Sequence, residues 1–306
     1  MKPPPFAYRA PRTLPEALAA LAPAAPGTGS DTGGGGVGKV LAGGQSLIPL
    51  LNMRLAAPER LVDINRVAEL DTLEVTGAGV RVGALARHAR VGRSAEAAAV
   101  QPLLRRALAH VAHPVVRNRG TVVGSLAHAD PSAELPAVLA LLDGSVEAAS
   151  AAGRRTIPAG GFFLGPLEPA LLPGELAVSA FFPALPPRTG TAFVEIARRH
   201  GDYALVGVAA TVTLDAGLRV AAARAGYLSV AGVPLVLDLT AACAGADAVS
   251  GGGDWEDAAA YARERVDPES DIHASADYRR HLAGVLTGRA LRAATADAID
   301  RAGEGR

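Results

Sequence analysis

The sequence predicts an α+β protein, with strands and helices gathered in blocks. Three observations lead there. Alternating apolar runs cluster between residues 191 and 239, helical patterns follow them, and the first half mixes short strands and helices without a βαβ repeat. With 306 residues, 49% of them hydrophobic, the chain is long enough for two cores.

In chain order, TLPEALAAL (13–21) places Thr13 three residues before Glu16, a capping-box pattern. Leu14, Leu18 and Leu21 then share a face, so a helix is expected. Residues 22–38 are rich in Pro, Gly and Ser and read as a flexible loop. VLA (40–42) reads as a strand, LIPLLNMRLA (47–56) as a helix and ERLVDIN (59–65) as a strand. LEVTGAGVRVGAL (73–85) alternates on either side of Gly77-Ala78-Gly79, which predicts a hairpin. LARHARVGRSAEAAA (85–99) and QPLLRRALAHVA (101–112) read as helices. RNRGTVVGSLAHADPSAELPAVLALL (117–142) reads as a glycine-containing loop running into a helix near Ser132. Short strands and a helical GGFFLGP (160–166) follow, and the proline-rich 183–190 is the best linker in the chain. Beyond it, residues 191–239 hold three or four strands with a tight turn at Asp215-Ala216-Gly217. WEDAAAYARERV (255–266) and SADYRRHLAGVLTGRALRAAT (275–295) are then helical.

Composition removes several function classes. Thirty basic groups balance thirty acidic ones, against the basic excess that a nucleic-acid or anionic-membrane surface needs. A single cysteine, Cys243, rules out a disulfide framework, a cysteine-ligated zinc and a self-contained iron–sulfur cluster. Neither a signal-peptide run nor a membrane span is visible, so a soluble, cytoplasmic protein is expected. His110 and His113 are three apart at a helix end but lack a third ligand at metal-binding spacing, so no metal is expected.

Two glycine clusters lie four residues apart. GGGGVGK (33–39) spells both G-x-x-x-x-G-K and G-x-G-x-x-G, yet coil precedes it, a strand-like VLA follows it, and Val40 stands where a magnesium-holding hydroxyl belongs. It reads as a surface loop. Gly43-Gly44-Gln45-Ser46 instead sits between a strand and a helix, where successive N–H groups converge on a concavity suited to a pyrophosphate. Glycines in such a position more often only make the turn. A second polar stretch gathers Thr121, Ser125, Asp130 and Glu134, which suits a large polar ligand as well as an ordinary capped helix start.

AGGQSLIPLLNMRLA, RNRGTVVGSLAHADPSAELP, FVEIARRHGDYALVGVAA and DIHASADYRRHLAGVLTGRAL together resemble the FAD-binding medium subunits of molybdenum hydroxylases. Aerobic carbon monoxide dehydrogenase medium chains are the nearer likeness and the flavin domain of xanthine dehydrogenase the more distant one. The match runs through almost the whole chain in order, with 26–38 as an insertion. The resemblance implies a flavin-binding domain of the vanillyl-alcohol oxidase (PCMH) type, made of two α+β subdomains, over residues 1–182. A linker at 183–190 and a carboxy-terminal α+β domain over 191–306, with a small antiparallel sheet and helices, complete it.

It further implies that Ala42, Gly43, Gly44, Gln45 and Ser46 hold the FAD pyrophosphate, flanked by Val40, Leu41 and Leu47. Thr121, Val122, Val123, Gly124 and Ser125 form the second FAD loop, Glu134 is the acidic contact with Asp130 nearby, and Gly201-Asp202-Tyr203 approaches the flavin ring. Val123 replaces the first glycine of the family's pair. Either that position does not need glycine's freedom or flavin binding is weakened. A family lysine is also missing near Val194 and Glu195. The implied role is electron transfer through FAD, with no catalytic side chain, between a [2Fe–2S] small subunit and an external acceptor. A molybdopterin-binding large subunit carries out the hydroxylation, in a dimer of heterotrimers. A stand-alone flavin oxidase and a flavin-free scaffold are the alternatives.

Overall fold

The computed structural model describes residues 2–22, 38–243 and 255–304. Residues 33–37 of the first glycine cluster, and the 26–38 insertion apart from Gly38, lie outside them. Strands β1 (Ala7–Arg9), β2 (Gly38–Leu41) and β3 (Arg60–Asp63) form a parallel sheet in the order β1-β3-β2. The first strand was not expected from the sequence: AYR is three exposed residues whose pairing with β3 alone makes them a strand. Helix α1 (Leu14–Leu21) starts where the capping box put it, with the Glu16 N–H donating to Thr13 Oγ1 at 3.3 Å, and buries Leu14, Ala17 and Leu21. Helix α2 (Leu47–Asn52) is shorter than LIPLLNMRLA, because the chain turns left-handed at Arg54 (φ 59°).

The hairpin of β4 (Leu73–Thr76) and β5 (Gly79–Gly83) forms as its alternation dictates. After it come α3 (His88–Arg93), α4 (Ala95–Val100), α5 (Pro102–His110) and the single turn α6 (Pro114–Arg117). The next segment departs from expectation. TVVGSLAH is helical, α7 (Val122–His128), and the following helix α8 (Glu134–Leu141) begins two residues after Ser132. Two β-branched residues and a glycine give α7 poor intrinsic propensity. It forms because Thr121 caps it and Val122, Val123 and Leu126 are buried. Between the helices Asp130 Oδ1 accepts the Ser132 N–H at 2.8 Å, so this aspartate shapes a turn and caps neither helix.

Strands β6 (Ser145–Ser150) and β7 (Gly153–Pro158) join β4 and β5 through β10 (Leu176–Pro183) in an antiparallel sheet ordered β4-β5-β10-β6-β7. GGFFLGP is a 3₁₀ turn (Ala159–Gly161) followed by strand β8 (Phe163–Gly165), which pairs with β9 (Glu168–Pro169). The helical expectation fails because Phe162 is fully buried and its carbonyl accepts the Ala170 N–H, folding the segment back as a hairpin.

The third sheet is a meander of β11 (Thr189–Ala197), β12 (Ala204–Leu214), β13 (Val220–Leu228) and β14 (Leu235–Asp238). A short α9 (Thr240–Cys243), then α10 (Glu256–Arg265) and the 29-residue α11 (Ala276–Glu304) follow. Helix α11 lies on one face of the sheet, while α5 and α8 press on the other. That is why ALVGVAATV in β12 is almost continuously apolar: both of its faces are buried. Side chains of β11 to β13 accordingly divide between two hydrophobic cores, Phe193, Ala204, Ala209 and Leu228 facing the first and Val206, Val208, Ala210 and Val212 the second. Polar ties cross the seam. Arg106 pairs with Asp297 at 2.5 Å, Asp297 also accepts the Thr191 N–H, and Arg224 grips Asp143 through two contacts of 2.6 and 3.0 Å. Among the described residues no helix is long and apolar enough to cross a membrane.

Candidate functional site

Parallel strand β2 ends at Leu41 and delivers the chain into Ala42-Gly43-Gly44-Gln45, with Ser46 at the N-cap of α2 and Leu47 its first residue. The turn requires both glycines. Gly44 has φ +74°, a conformation costly for a residue with a Cβ. A Cβ on Gly43 would lie 2.4 Å from the Arg119 carbonyl oxygen and 2.8 Å from Gly120 Cα, so two backbone turns meet there at a distance only glycine allows. Ser46 makes no side-chain cap, and the N–H groups of Gly43, Gly44, Gln45 and Ser46 donate to no protein acceptor among the described residues. Gly43, Gly44 and Gln45 border a cleft of about 360 Å³, which Leu41 and Ala42 line from the same turn and Asp63, Asn65 and Arg119 from other segments; Ser46 does not line it. Unpaired consecutive amides at a helix start are an anion-binding arrangement.

Asp63, Asn65 and Arg87 lie outside the stretches that carry the resemblance and Arg119 at the start of one, and sequence reasoning named none of the four as a site residue. Asn65 Nδ2 donates to the Ala42 carbonyl at 2.8 Å and to Asp63 Oδ1 at 2.6 Å, while Asp63 Oδ2 accepts the Tyr8 hydroxyl at 2.5 Å. Burial acts to raise the Asp63 pKa, but the hydrogen bonds from Tyr8 and Asn65 prevail and hold the carboxyl below its usual range. Arg87 bridges the two walls, donating to Asn65 Oδ1 at 2.6 Å and to the Arg119 carbonyl at 2.5 Å. Only the adjacency of DIN to the end of a strand beside the glycine turn could have signalled part of this set.

The second predicted loop follows Arg119 and Gly120 directly. Thr121 Oγ1 accepts the Gly124 N–H at 3.1 Å, and a Cβ on Gly124 would sit 2.5 Å from that oxygen, so this glycine makes room for the cap. Val122 and Val123 bury their side chains in the core, and Ser125 is partly exposed. Val123 has no positive φ; the helix gives it an ordinary conformation that needs no glycine.

Beneath Gly120 lies His88, 5% exposed, with neither ring nitrogen hydrogen-bonded. Burial pushes its pKa down to about 4, against a pull from the Thr121 backbone. Its folded-state pKa therefore lies below the unfolded value, and the stability it contributes is present above about pH 6.5 and lost as pH falls toward 4. Urea denaturation should show His88→Leu losing up to roughly 3 kcal/mol less than the parent chain over that window. Parallel stability profiles for the two would remove His88 as the cause.

Helix α7 separates these turns from the remaining predicted residues by about 10 Å, at 1.5 Å per residue. Beyond its far end lie Asp130, the partly buried Glu134 at the first position of α8, and Tyr203, whose pKa is raised by burial and then by the charges of Asp130 and Glu134. Tyr203 is 63% exposed, and Asp202 beside it is held by Arg198 and Arg199 at 3.0 and 3.3 Å. At Gly201 (φ +77°) a Cβ would collide with the His113 ring. The structure thus brings Leu41 to Gln45 to one cleft and Thr121 to Ser125 next to it in the chain, while Asp130, Glu134 and Tyr203 lie beyond α7.

A strand-to-helix glycine turn whose amides border a cleft defines an anion-binding protein on an α+β scaffold. Residues 4–185 match the FAD binding domain in molybdopterin dehydrogenase, and residues 191–294 the CO dehydrogenase flavoprotein C-terminal domain. The 6-hydroxypseudooxynicotine dehydrogenase complex subunit alpha of Paenarthrobacter nicotinovorans is 41% identical over 95% of both chains. The carbon monoxide dehydrogenase medium chain of Hydrogenophaga pseudoflava is 35% identical over 97% of this chain and 99% of its own. Quinoline 2-oxidoreductase from Pseudomonas putida 86 has the same fold, with TM-score 0.86 at 38% identity, over 98% of this chain and 100% of that one. The chain belongs to the family of FAD-binding medium subunits of molybdenum hydroxylases, which are oxidoreductases.

Proposed function

We propose that this chain relays electrons through FAD from a [2Fe–2S] subunit to an external acceptor, in a complex whose large subunit carries molybdopterin. The carrying observation is the row of amides at Gly43, Gly44 and Gln45, without a protein acceptor among the described residues, at the edge of the cleft. It fits a pyrophosphate, and a Cβ at Gly43 would break the apposition of the two turns. When bound, FAD supplies the ability to take electrons singly and release them singly or in pairs.

This chain's residues supply position. Gly43, Gly44, Gln45 and Ser46 hold the pyrophosphate through their main chain, with Ala42, Leu41 and Leu47 shaping the turn. Asn65 and Arg87 brace the cradle by tying Ala42 and Arg119 together. Thr121, Gly124 and Ser125 line the middle with the backbone of Val122 and Val123, while Asp130, Glu134 and Tyr203 attend the far end. No general base among them is needed for a relay. The division into 1–182 and 191–306 about a 183–190 linker, the dimer of heterotrimers and the cytoplasmic setting belong to the same proposal. The strands narrow the linker, since Pro183 closes β10 and Thr189 opens β11, which leaves residues 184–188 between them.

The test is an absorption spectrum of the purified chain, with release of FAD on denaturation, followed by reconstitution with its two partner subunits. Bound FAD near one per chain, reduced by substrate only when all three subunits are present, is the expected result. A chain that neither holds nor takes up FAD, alone or in the complex, would turn the reading to a scaffold. Turnover by the FAD-loaded chain alone would turn it to an oxidase.

A further inference from the structure

The end of helix α5 supports one segment of the third sheet at two points. Phe193 and Glu195 alternate onto the same face of β11. His110, the last residue of α5, packs its ring on Phe193 at 5.3 Å and places Nδ1 3.2 Å from Glu195 Oε1. The Glu195 side chain is only 8% exposed, and its other oxygen, Oε2, is buried with no hydrogen-bond partner. Opposite it on β12 stands Gly207, which brings no side chain. Three residues after His110, the His113 ring lies 5.8 Å from that of His200. Gly201 presses on the same ring so closely that a Cβ there would fall 2.6 Å from its Cε1 atom. His110 and His113 therefore seat both the end of β11 and the turn of residues 198–203, on which Tyr203 rides.

The seat itself is rigid. Arg117 of α6 donates to the carbonyls of Val111 and Ala112 at 2.8 Å each, and Ala112 is held at φ 42°. One turn back along α5, Arg106 fixes the helix to Asp297 of α11. Of these two ion pairs between α5 and the second half of the chain, Arg106–Asp297 persists through neutral pH, whereas His110–Glu195 depends on a proton that comes and goes there. Protonated His110 gives the buried carboxylate its cation. Neutral His110 leaves it an N–H donor at most, and the buried charge then lacks compensation. We propose that the end of α5 is a pH-sensitive latch, which holds the 198–203 turn while His110 is protonated and loosens it when that proton is lost.

The groups around His110 favour the held state. Glu195 reaches it from β11 and Glu134 acts on it from α8, while Arg106 on its own helix and Arg117 on α6 are engaged by other acceptors. Burial pushes the Glu134 carboxyl up to about 8, so Glu195 is the principal counter-ion. The hydrogen bond to Glu195 raises the His110 pKa, against burial, and the charges of Glu195 and Glu134 add to the rise. The folded-state pKa thus lies above the unfolded one. The latch contributes fully below the ordinary histidine value and is lost as pH rises through the shifted one. It acts within this chain and does not depend on what the cleft holds.

Hydrogen exchange followed by mass spectrometry on the full chain reads the latch. Protection of residues 196–203, taken relative to the unstructured rate at each pH, should fall about tenfold as pH rises through the His110 midpoint, the difference between a charge-assisted and a neutral hydrogen bond. Protection of β5, on another sheet, should stay flat. The midpoint comes from histidine ring resonances in NMR spectra, with His110→Gln identifying the signal, and is expected above the ordinary histidine value. Glu195→Gln should lower it and flatten the protection profile. His110→Lys, which keeps a cation at that position, should hold residues 196–203 protected through the same window. Flat protection in the parent chain overturns the proposal, and that result needs no variant to fold. A response that persists in Glu195→Gln also overturns it. So does one that vanishes in His200→Gln or Glu134→Gln while His110 still titrates, because the sensor would then be another group.

Discussion

Gly43→Ala is expected to weaken FAD binding by about a hundredfold, close to 3 kcal/mol, without unfolding the chain. The new methyl carbon would have to occupy space 2.4 Å from the Arg119 carbonyl oxygen. That neighbour is backbone and cannot swing aside. The glycine turn and the Arg119-Gly120 turn must part, and Arg87, which holds Asn65 and Arg119 at hydrogen-bonding distance, cannot span the widened gap without losing one of them. The cleft that Gly43, Gly44 and Gln45 line with Asp63, Asn65 and Arg119 would then change shape, and with it the cradle proposed for the pyrophosphate. Fluorescence titration with FAD measures this, and Gly160→Ala is the matched control, since a Cβ there meets nothing within 4 Å. Equal affinity in Gly43→Ala and the parent chain would show that the cradle lies elsewhere.

Gly190→Ala should act on stability instead. A Cβ at Gly190 would fall 2.1 Å from the Ala294 carbonyl oxygen and 2.2 Å from the Ala298 nitrogen, so α11 rests directly on the β11 backbone. Lifting the helix by even part of an ångström opens the Ala-lined contact along its length. It also disturbs Asp297, which ties α11 to the Thr191 N–H and to Arg106. A loss of roughly 3 kcal/mol, seen as a fall of about 5–10 °C in Tm, is expected by calorimetry. FAD affinity well below that temperature should stay within about threefold of the parent, because the glycine turn is built on another sheet. A Tm within about 2 °C of the parent would mean that α11 shifts freely, contrary to the packing described.

Much of this architecture was legible in the residues. The four-stranded meander announced itself through apolar alternation and the Asp215 turn, and the glycine turn through its strand-to-helix setting. What escaped was structure that depends on partners distant in sequence. α7 was hidden because Val122, Val123 and Gly124 disfavour a helix locally, and only the Thr121 cap and core burial rescue it. β1 exists only through pairing with residues some fifty positions away. Asn65 and Arg87 are single polar residues whose meaning appears when Ala42 and Arg119 are placed beside them. Val194 and Glu195 occupy the neighbourhood where the resemblance led to a lysine, yet the pairing of Glu195 with His110 could not be known from spacing.

The two-sided burial of the third sheet bears on how the chain comes to exist in the cell. Residues up to Pro183 leave the ribosome with α5 and α8 still lacking the surface they are built to cover. The meander that follows satisfies one side and exposes another, which stays bare until residues 276–304 arrive. The first core is complete once the meander has been made, but the second is not complete before α11. Nascent or prematurely ended chains therefore display sticky β-surface, and this polypeptide should depend on chaperone shelter late in its synthesis.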